Sequence, residues 1–304
     1  MELGLSVLPP AITHTHTIVF LHSRGSTAAD ASEQLFWPRD SLRRSLKTVF
    51  PSVRWVFPQA ELRPCEADEG QDWSQWFDVW NPLDLAEREE VQALGLQESV
   101  ESLRRLVVRE ARLLGEGDGG GGGGLERVVL AGVSQGGAAA VHALLNMVVP
   151  TPPPPPLDGG GGGGLVAWDR ADYFDERHTP PTKLCALVAF SSAMPFPGGT
   201  LEETREVLAL DGTPIDDVVW NTPAFLAHCA DDPLVFIEYG KVLRNSLRDF
   251  GMNVTWREYE EGGHQINSPQ GVDDFVDFLI AQGVPGKSPR RRRGSSGSRS
   301  VSPD

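Results

Sequence analysis

The chain predicts an α/β fold, a mostly parallel central sheet with helices on both faces, and three observations carry that reading. Short apolar, β-branched runs alternate at least five times with stretches of helical hydrophobic spacing. Most of those runs lack polar alternates, as strands covered on both faces require. Polar, chemistry-bearing residues fall just past the carboxyl ends of the runs, where open α/β sheets bind ligands.

Thr17–Leu21 is the first strand, and it ends in the polar loop His22-Ser23-Arg24-Gly25-Ser26-Thr27. A helix interrupted at Pro38 follows, with Ser41–Lys47 as its clearest part. Val53–Phe57 reads as a second strand stopped by Pro58, which lacks an N–H. From Pro58 to Leu85 there is little periodicity but many aromatics: Trp73, Trp76, Phe77 and Trp80. Rings in such a loop form either a satellite cluster beneath it or the wall of an apolar cleft. Val100, Leu103, Leu106, Val107 and Leu114 lie at helical spacing, so 98–114 is an amphipathic helix.

Next comes Val128-Val129-Leu130-Ala131-Gly132-Val133-Ser134-Gln135-Gly136-Gly137-Ala138, an apolar strand running into a small-residue helix. Between them lies the pattern G-x-S-x-G. A strand that turns into a helix within one residue lifts Ser134 above the sheet edge, at the positive end of the helix. The pattern alone is short enough to arise by chance; the strand before it and the helix after it give it meaning.

Leu184–Phe190 and Pro223–Cys229 are the next strands, the second ending in Ala230-Asp231-Asp232-Pro233. Ile237, Val242, Leu243 and Leu247 mark a helix over Val235–Phe250. Asn253–Tyr259 alternates polar and apolar residues, as a sheet edge does, and ends in Glu260-Glu261-Gly262-Gly263-His264. Ser268–Gln282 closes the domain as a helix, with Ser268 read as N-cap and Pro269 in the first turn.

Of the 304 residues, several tracts are unfit for a core: Gly119–Gly124, Pro152–Pro156, Gly159–Gly164 and the end from Gly283. What remains suits one domain over 1–282, with low-complexity insertions near 117–124 and 149–181. Within the second, Trp168, Tyr173 and Phe174 offer rings that dock on the body. Residues 283–304 form a basic Arg/Ser-rich tail with six cations against one acid. The chain's net charge is −15, so the body carries −20. That field repels phosphates and anionic lipid surfaces, and nucleic acid is not an expected partner. The tail is either a solvated end or a nuclear-import or lipid patch. Three scattered cysteines without C-x-x-C suggest a reducing compartment. Neither a signal peptide nor an apolar run of spanning length is visible, so a cytoplasmic location is expected, with a nuclear one open through the tail. Oligomeric state is not legible.

A serine hydroxyl needs a base within about 3 Å, and the base needs a carboxylate to fix its tautomer. Seven histidines are available. His14 and His16 precede the first strand, His142 lies within the elbow helix and His178 in low-complexity sequence. His22 and His228 sit at strand ends, where structural hydrogen bonds are the simpler reading. His264 follows two glycines in a loop and is the candidate base. The order Ser134, Asp, His264 is that of the α/β-hydrolases. An oxyanion hole takes the Gln135 N–H and, from the loop after the first strand, that of Arg24.

With these residues in place, the chain resembles the phospholipase/carboxylesterase family of α/β-hydrolases, which includes the acyl-protein thioesterases. The matching stretches are Val19–His22, Trp76-Phe77-Asp78, Gly132–Gly137, Asp232-Pro233-Leu234-Val235 and Gly263-His264, in the family's order. Asp-Pro-Leu-Val selects Asp232 over Asp231, leaving Asp231 to face solvent or cap its own turn. Two positions depart from the family: Ser23 and Cys229 stand where glycine is usual. The resemblance implies the α/β-hydrolase fold and hydrolysis of esters or thioesters through an acyl-enzyme, without metal or cofactor. Its substrate is a small-molecule ester or an acylated protein, with the acyl chain against Trp73, Trp76 and Phe77. A hydrolase fold kept only as a binding protein is the alternative of another class.

Overall fold

In the computed structural model, residues 3–116, 124–149 and 182–289 are described. Most of the first glycine run, the polyproline and second glycine tracts with Trp168, Tyr173 and Phe174, and the tail beyond 289 lie outside them.

The chain begins with β1 (Gly4–Leu8) and β2 (His16–Leu21). Helix α1 (Ala28–Phe36) starts at Thr27, whose hydroxyl accepts the Asp30 N–H while the Asp30 carboxylate accepts the Thr27 N–H. That reciprocal capping box fixes the helix start. The predicted helix over Ser41–Lys47 is not formed. Buried Asp40 accepts the N–H groups of Leu42 and Arg44 and pairs with the Arg44 guanidinium, which holds the segment as a turn. Only α2 (Leu46–Val49) remains helical. Strand β3 (Val53–Gln59) runs through Pro58 instead of stopping there. Its pairing with β2 ends at Val19↔Val56, so Pro58 lies beyond that ladder and its missing N–H breaks none of it.

Strands β4 (Leu62–Cys65) and β5 (Gln71–Ser74) form a separate hairpin in the aromatic region. Helix α3 (Val91–Glu116) is longer than predicted, and β6 (Val128–Val133) leads into α4 (Gln135–Leu145). Then come β7 (Ala186–Phe190), α5 (Leu201–Glu206), α6 (Asp216–Asn221), β8 (Ala224–Cys229) and α7 (Ile237–Asp249). Strand β9 (Val254–Tyr259) and α8 (Gln270–Ala281) complete it. Pro269, not Ser268, occupies the N-cap of α8. Ser268 instead donates to the Arg39 carbonyl, and the Asn267 side chain accepts the Gly271 N–H.

The main sheet has the order β1-β3-β2-β6-β7-β8-β9, parallel except for β1. Strand β1, which is not among the elements predicted above, pairs antiparallel along one edge, while β9 forms the other as predicted. Alternation sends Val19 and Leu21 into a core beneath α3, α4 and α7, and Ile18 and Phe20 into one beneath α1, α2 and α8. In the second core Phe275 packs edge-on to Phe190 at 5.4 Å between ring centres. These two buried layers hold the strand ends still, and the site stands on those ends. The parallel order and the helical layers are those of the α/β-hydrolase fold that the sequence implies.

Candidate active site

Ser134 sits between β6 and α4 with φ 56° and ψ −126°, a strained conformation for a residue with a side chain. Its N–H donates to the Phe190 carbonyl of β7 at 2.9 Å, tying the turn to the neighbouring strand. The flanking glycines are steric necessities. A Cβ on Gly132 would stand 2.4 Å from the Gly136 backbone, and one on Gly136 2.5 Å from the His22 carbonyl oxygen. Only hydrogen fits where the elbow presses on β2.

On β8's far end, Asp232 is buried and its Oδ1 accepts the N–H groups of Leu234 and Val235 at 2.9 and 3.0 Å. Both its oxygens face His264 Nδ1, at 3.1 and 2.9 Å. Burial pushes the Asp232 carboxyl up, but the hydrogen bonds from His264 and the two backbone N–H groups outweigh it, drawing the pKa down to about 2. Asp232 is therefore a carboxylate at neutral pH. Neighbouring His228 gives its Nε2 to the Val235 carbonyl at 2.7 Å, and burial lowers its pKa. His228 is thus a neutral structural histidine, as its strand-end position predicts.

Asp231 does not simply face solvent. Its carboxylate accepts the N–H groups of Gly262 and Gly263, at 3.2 and 2.8 Å, in the loop that carries His264.

Ser134 and His264 line one cavity of about 370 Å³, without a hydrogen bond between them. Its walls are mostly apolar, among them Phe77, Val79, Leu85, Ala138 and Val235. Catalytic hydrogen bonds are often unformed before substrate binds. Among the described residues, no group accepts the backbone N–H of Gln135 or Arg24, so both are free to donate. The Gln135 side chain locks the helix start to the aromatic loop, accepting the Trp76 N–H and donating to the Phe77 carbonyl.

The Arg24 loop is anchored through His22. Its Nδ1 bonds the Ser23 carbonyl at 2.7 Å and its Nε2 accepts the Ala60 N–H at 3.0 Å, which together assign one tautomer. Ser23, in the family's usual glycine position, does not have positive φ and so carries its side chain without strain. The Arg24 guanidinium is held by Gln75, by Cys65 and, at 3.6 Å, by Asp78, and it lies over the Trp73 ring. It is therefore not a solvated surface arginine.

Trp73 and Phe77 line the cavity; Trp76 does not. Trp76 is wholly buried, its indole N–H donating to the His22 carbonyl at 2.8 Å, so it supports the loop from beneath. The predicted substrate contact at Trp76 is corrected accordingly. Sequence reasoning also missed Gln75, Asp78 and Asp231, whose roles depend on partners that spacing does not reveal.

A family model described as Phospholipase/Carboxylesterase matches residues 4–151. Acyl-protein thioesterase 1 of Mycosarcoma maydis is 26% identical over 271 residues, 87% of this chain and 90% of that protein. The match to acyl-protein thioesterase 1 of Schizosaccharomyces pombe is shorter, 25% identical over 112 residues, 37% of this chain and 45% of that protein's length. Among solved structures, Zea mays acyl-protein thioesterase 2 has a TM-score of 0.61 at 19% identity, covering 92% of this chain and 99% of that one. The Bacillus cereus carboxylesterase has a TM-score of 0.53 at 13% identity, covering 92% and 94%. Both likenesses are of fold. With the family model on residues 4–151 and relatives aligned along most of its length, the chain is similar to the phospholipase/carboxylesterase family of α/β-hydrolases.

Proposed function

We propose that the chain is a serine hydrolase that cleaves carboxylic esters or thioesters through an acyl-enzyme on Ser134. One observation carries this most: a strained serine and an imidazole bound to a buried carboxylate line the same apolar cavity. In this reading His264 Nε2 takes the Ser134 proton as Oγ attacks the acyl carbonyl. The oxyanion collects the N–H groups of Gln135 and Arg24. As the tetrahedral adduct collapses, the imidazolium returns the proton to the leaving alcohol or thiol. Water, activated by the same histidine, then frees the acid. Asp232 holds the ring and balances its transient charge. The acyl chain lies against Phe77 and Trp73. Relatives named as acyl-protein thioesterases favour S-acylated proteins among the substrates.

A fluorophosphonate probe tests the mechanism, and a panel of p-nitrophenyl esters and acyl thioesters tests the substrate class. The parent chain should label and Ser134→Ala should not, while hydrolysis falls to background with the fold intact. Labelling that persists on Ser134→Ala would remove the nucleophile assignment. A folded parent that neither labels nor hydrolyses is a binding protein instead.

A further inference from the structure

We propose that Asp231 is a positioning residue that fixes the backbone of the His264 loop; this rests on the serine-hydrolase reading above. Gly262 and Gly263 adopt φ 142° and 60°, and their successive N–H groups converge on the one Asp231 carboxylate. Two successive amides that converge on one carboxylate make a small anion-binding concavity, here filled from within the chain. Charge-assisted bonds of this kind are roughly twice as strong as neutral ones.

The neighbouring carboxylate acts on the same loop one residue further on. Asp232 holds the His264 ring through Nδ1, whereas Asp231 holds the main chain immediately before that residue. Together they fix where the residue stands and how its ring is turned. Other contacts seat the loop against β8 but do not replace this pair. A Cβ on Gly262 would lie 2.7 Å from Cys229 Sγ, and that sulfur meets the Gln265 carbonyl only at 3.9 Å. Asn267 closes the base of the loop by donating to the Glu261 carbonyl.

The imidazole has to present Nε2 within about 3 Å of the serine oxygen in the reacting complex. A displacement of about 1 Å costs roughly 10²-fold in rate. Asp231 is exposed, so its bonds add little to global stability. Loss of Asp231 therefore acts on rate far more than on folding, which separates positioning from general support.

The test compares the full chain with Asp231→Ala and Asp231→Asn in short-chain p-nitrophenyl ester hydrolysis, fluorophosphonate labelling rate and Tm. It also follows the NMR signal of the His264 Nδ1 proton. The expected result for Asp231→Ala is a kcat lower by roughly 10- to 100-fold with KM within about threefold. Labelling should slow in parallel, Tm should move by less than about 4 °C and the Nδ1 signal should broaden. Asp231→Asn keeps one carbonyl acceptor and should fall between. A kcat for Asp231→Ala within about twofold of the parent overturns the proposal while leaving the serine assignment intact. So does a kcat loss matched by a collapse in Tm. A parent chain that never labels overturns both readings together.

Discussion

His264 Nδ1 stands 2.9 Å from Asp232 Oδ2, while the carboxylate's other oxygen also takes the N–H groups of Leu234 and Val235. The acid is thus pinned from its own turn before it meets the ring. Replacing it with Asn would keep the shape but offer an N–H toward a nitrogen that should donate, favouring the wrong tautomer. Asp232→Asn is expected to lower kcat by about 10³- to 10⁴-fold with little change in KM, measured on a p-nitrophenyl ester.

The cavity makes a size prediction. Ala193 is buried after β7 and lines the wall with Ala138 and Pro195. Ala193→Leu would place three carbons in that space. Butyryl esters should still be hydrolysed, while kcat/KM for dodecanoyl esters should fall roughly tenfold further. Equal effects on both chain lengths would mean that the acyl group lies elsewhere.

Much of this arrangement is legible in the sequence, and the limits have physical causes. Strands such as Val128–Val133 announce themselves because both faces are buried and every residue is apolar. Ser134, Asp232 and His264 stand out because each follows a strand's carboxyl end and carries a chemical type that mechanism demands. What fails depends on partners distant in sequence. The turn at Ser41–Ser45 is imposed by Asp40, which outcompetes a helical pattern by collecting backbone N–H groups. Strand β1 gains its identity only from pairing with β3. The Asp-Pro-Leu-Val match separates Asp232 from Asp231, but the hold of Asp231 on Gly262 and Gly263 emerges only where the chain brings that loop to it.

Stability should fall in mild acid. His142, wholly buried in α4, bonds the Pro195 carbonyl through Nε2. Burial lowers its pKa from 6.5 to about 4. The unfolded chain therefore binds a proton that the folded chain refuses as pH drops from 6.5 towards 4. Stability is full above pH 6.5 and is lost as pH falls through that window, by an amount on the order of 3 kcal/mol from this residue. Burial also lowers His16 to about 4, which acts in the same direction. Urea midpoints at a series of pH values check this, and His142→Gln should flatten the slope.

Two tryptophans three residues apart give opposite predictions. Trp76 is buried against His22 at 5.1 Å between ring centres, and its indole donates to the His22 carbonyl. Trp73 is 36% exposed, lines the cavity and carries the Arg24 guanidinium over its ring at 5.0 Å. Trp76→Phe retains most of the ring but leaves a buried carbonyl without its donor. That should destabilise the fold by about 1–3 kcal/mol. The urea midpoint should fall, and KM for long acyl esters should stay near the parent's. Trp73→Ala removes a cavity wall that is already partly open to solvent. Its midpoint should scarcely move, while KM for the same esters rises several-fold. The reversed pattern, with KM following Trp76 and stability following Trp73, would return Trp76 to the acyl-chain wall.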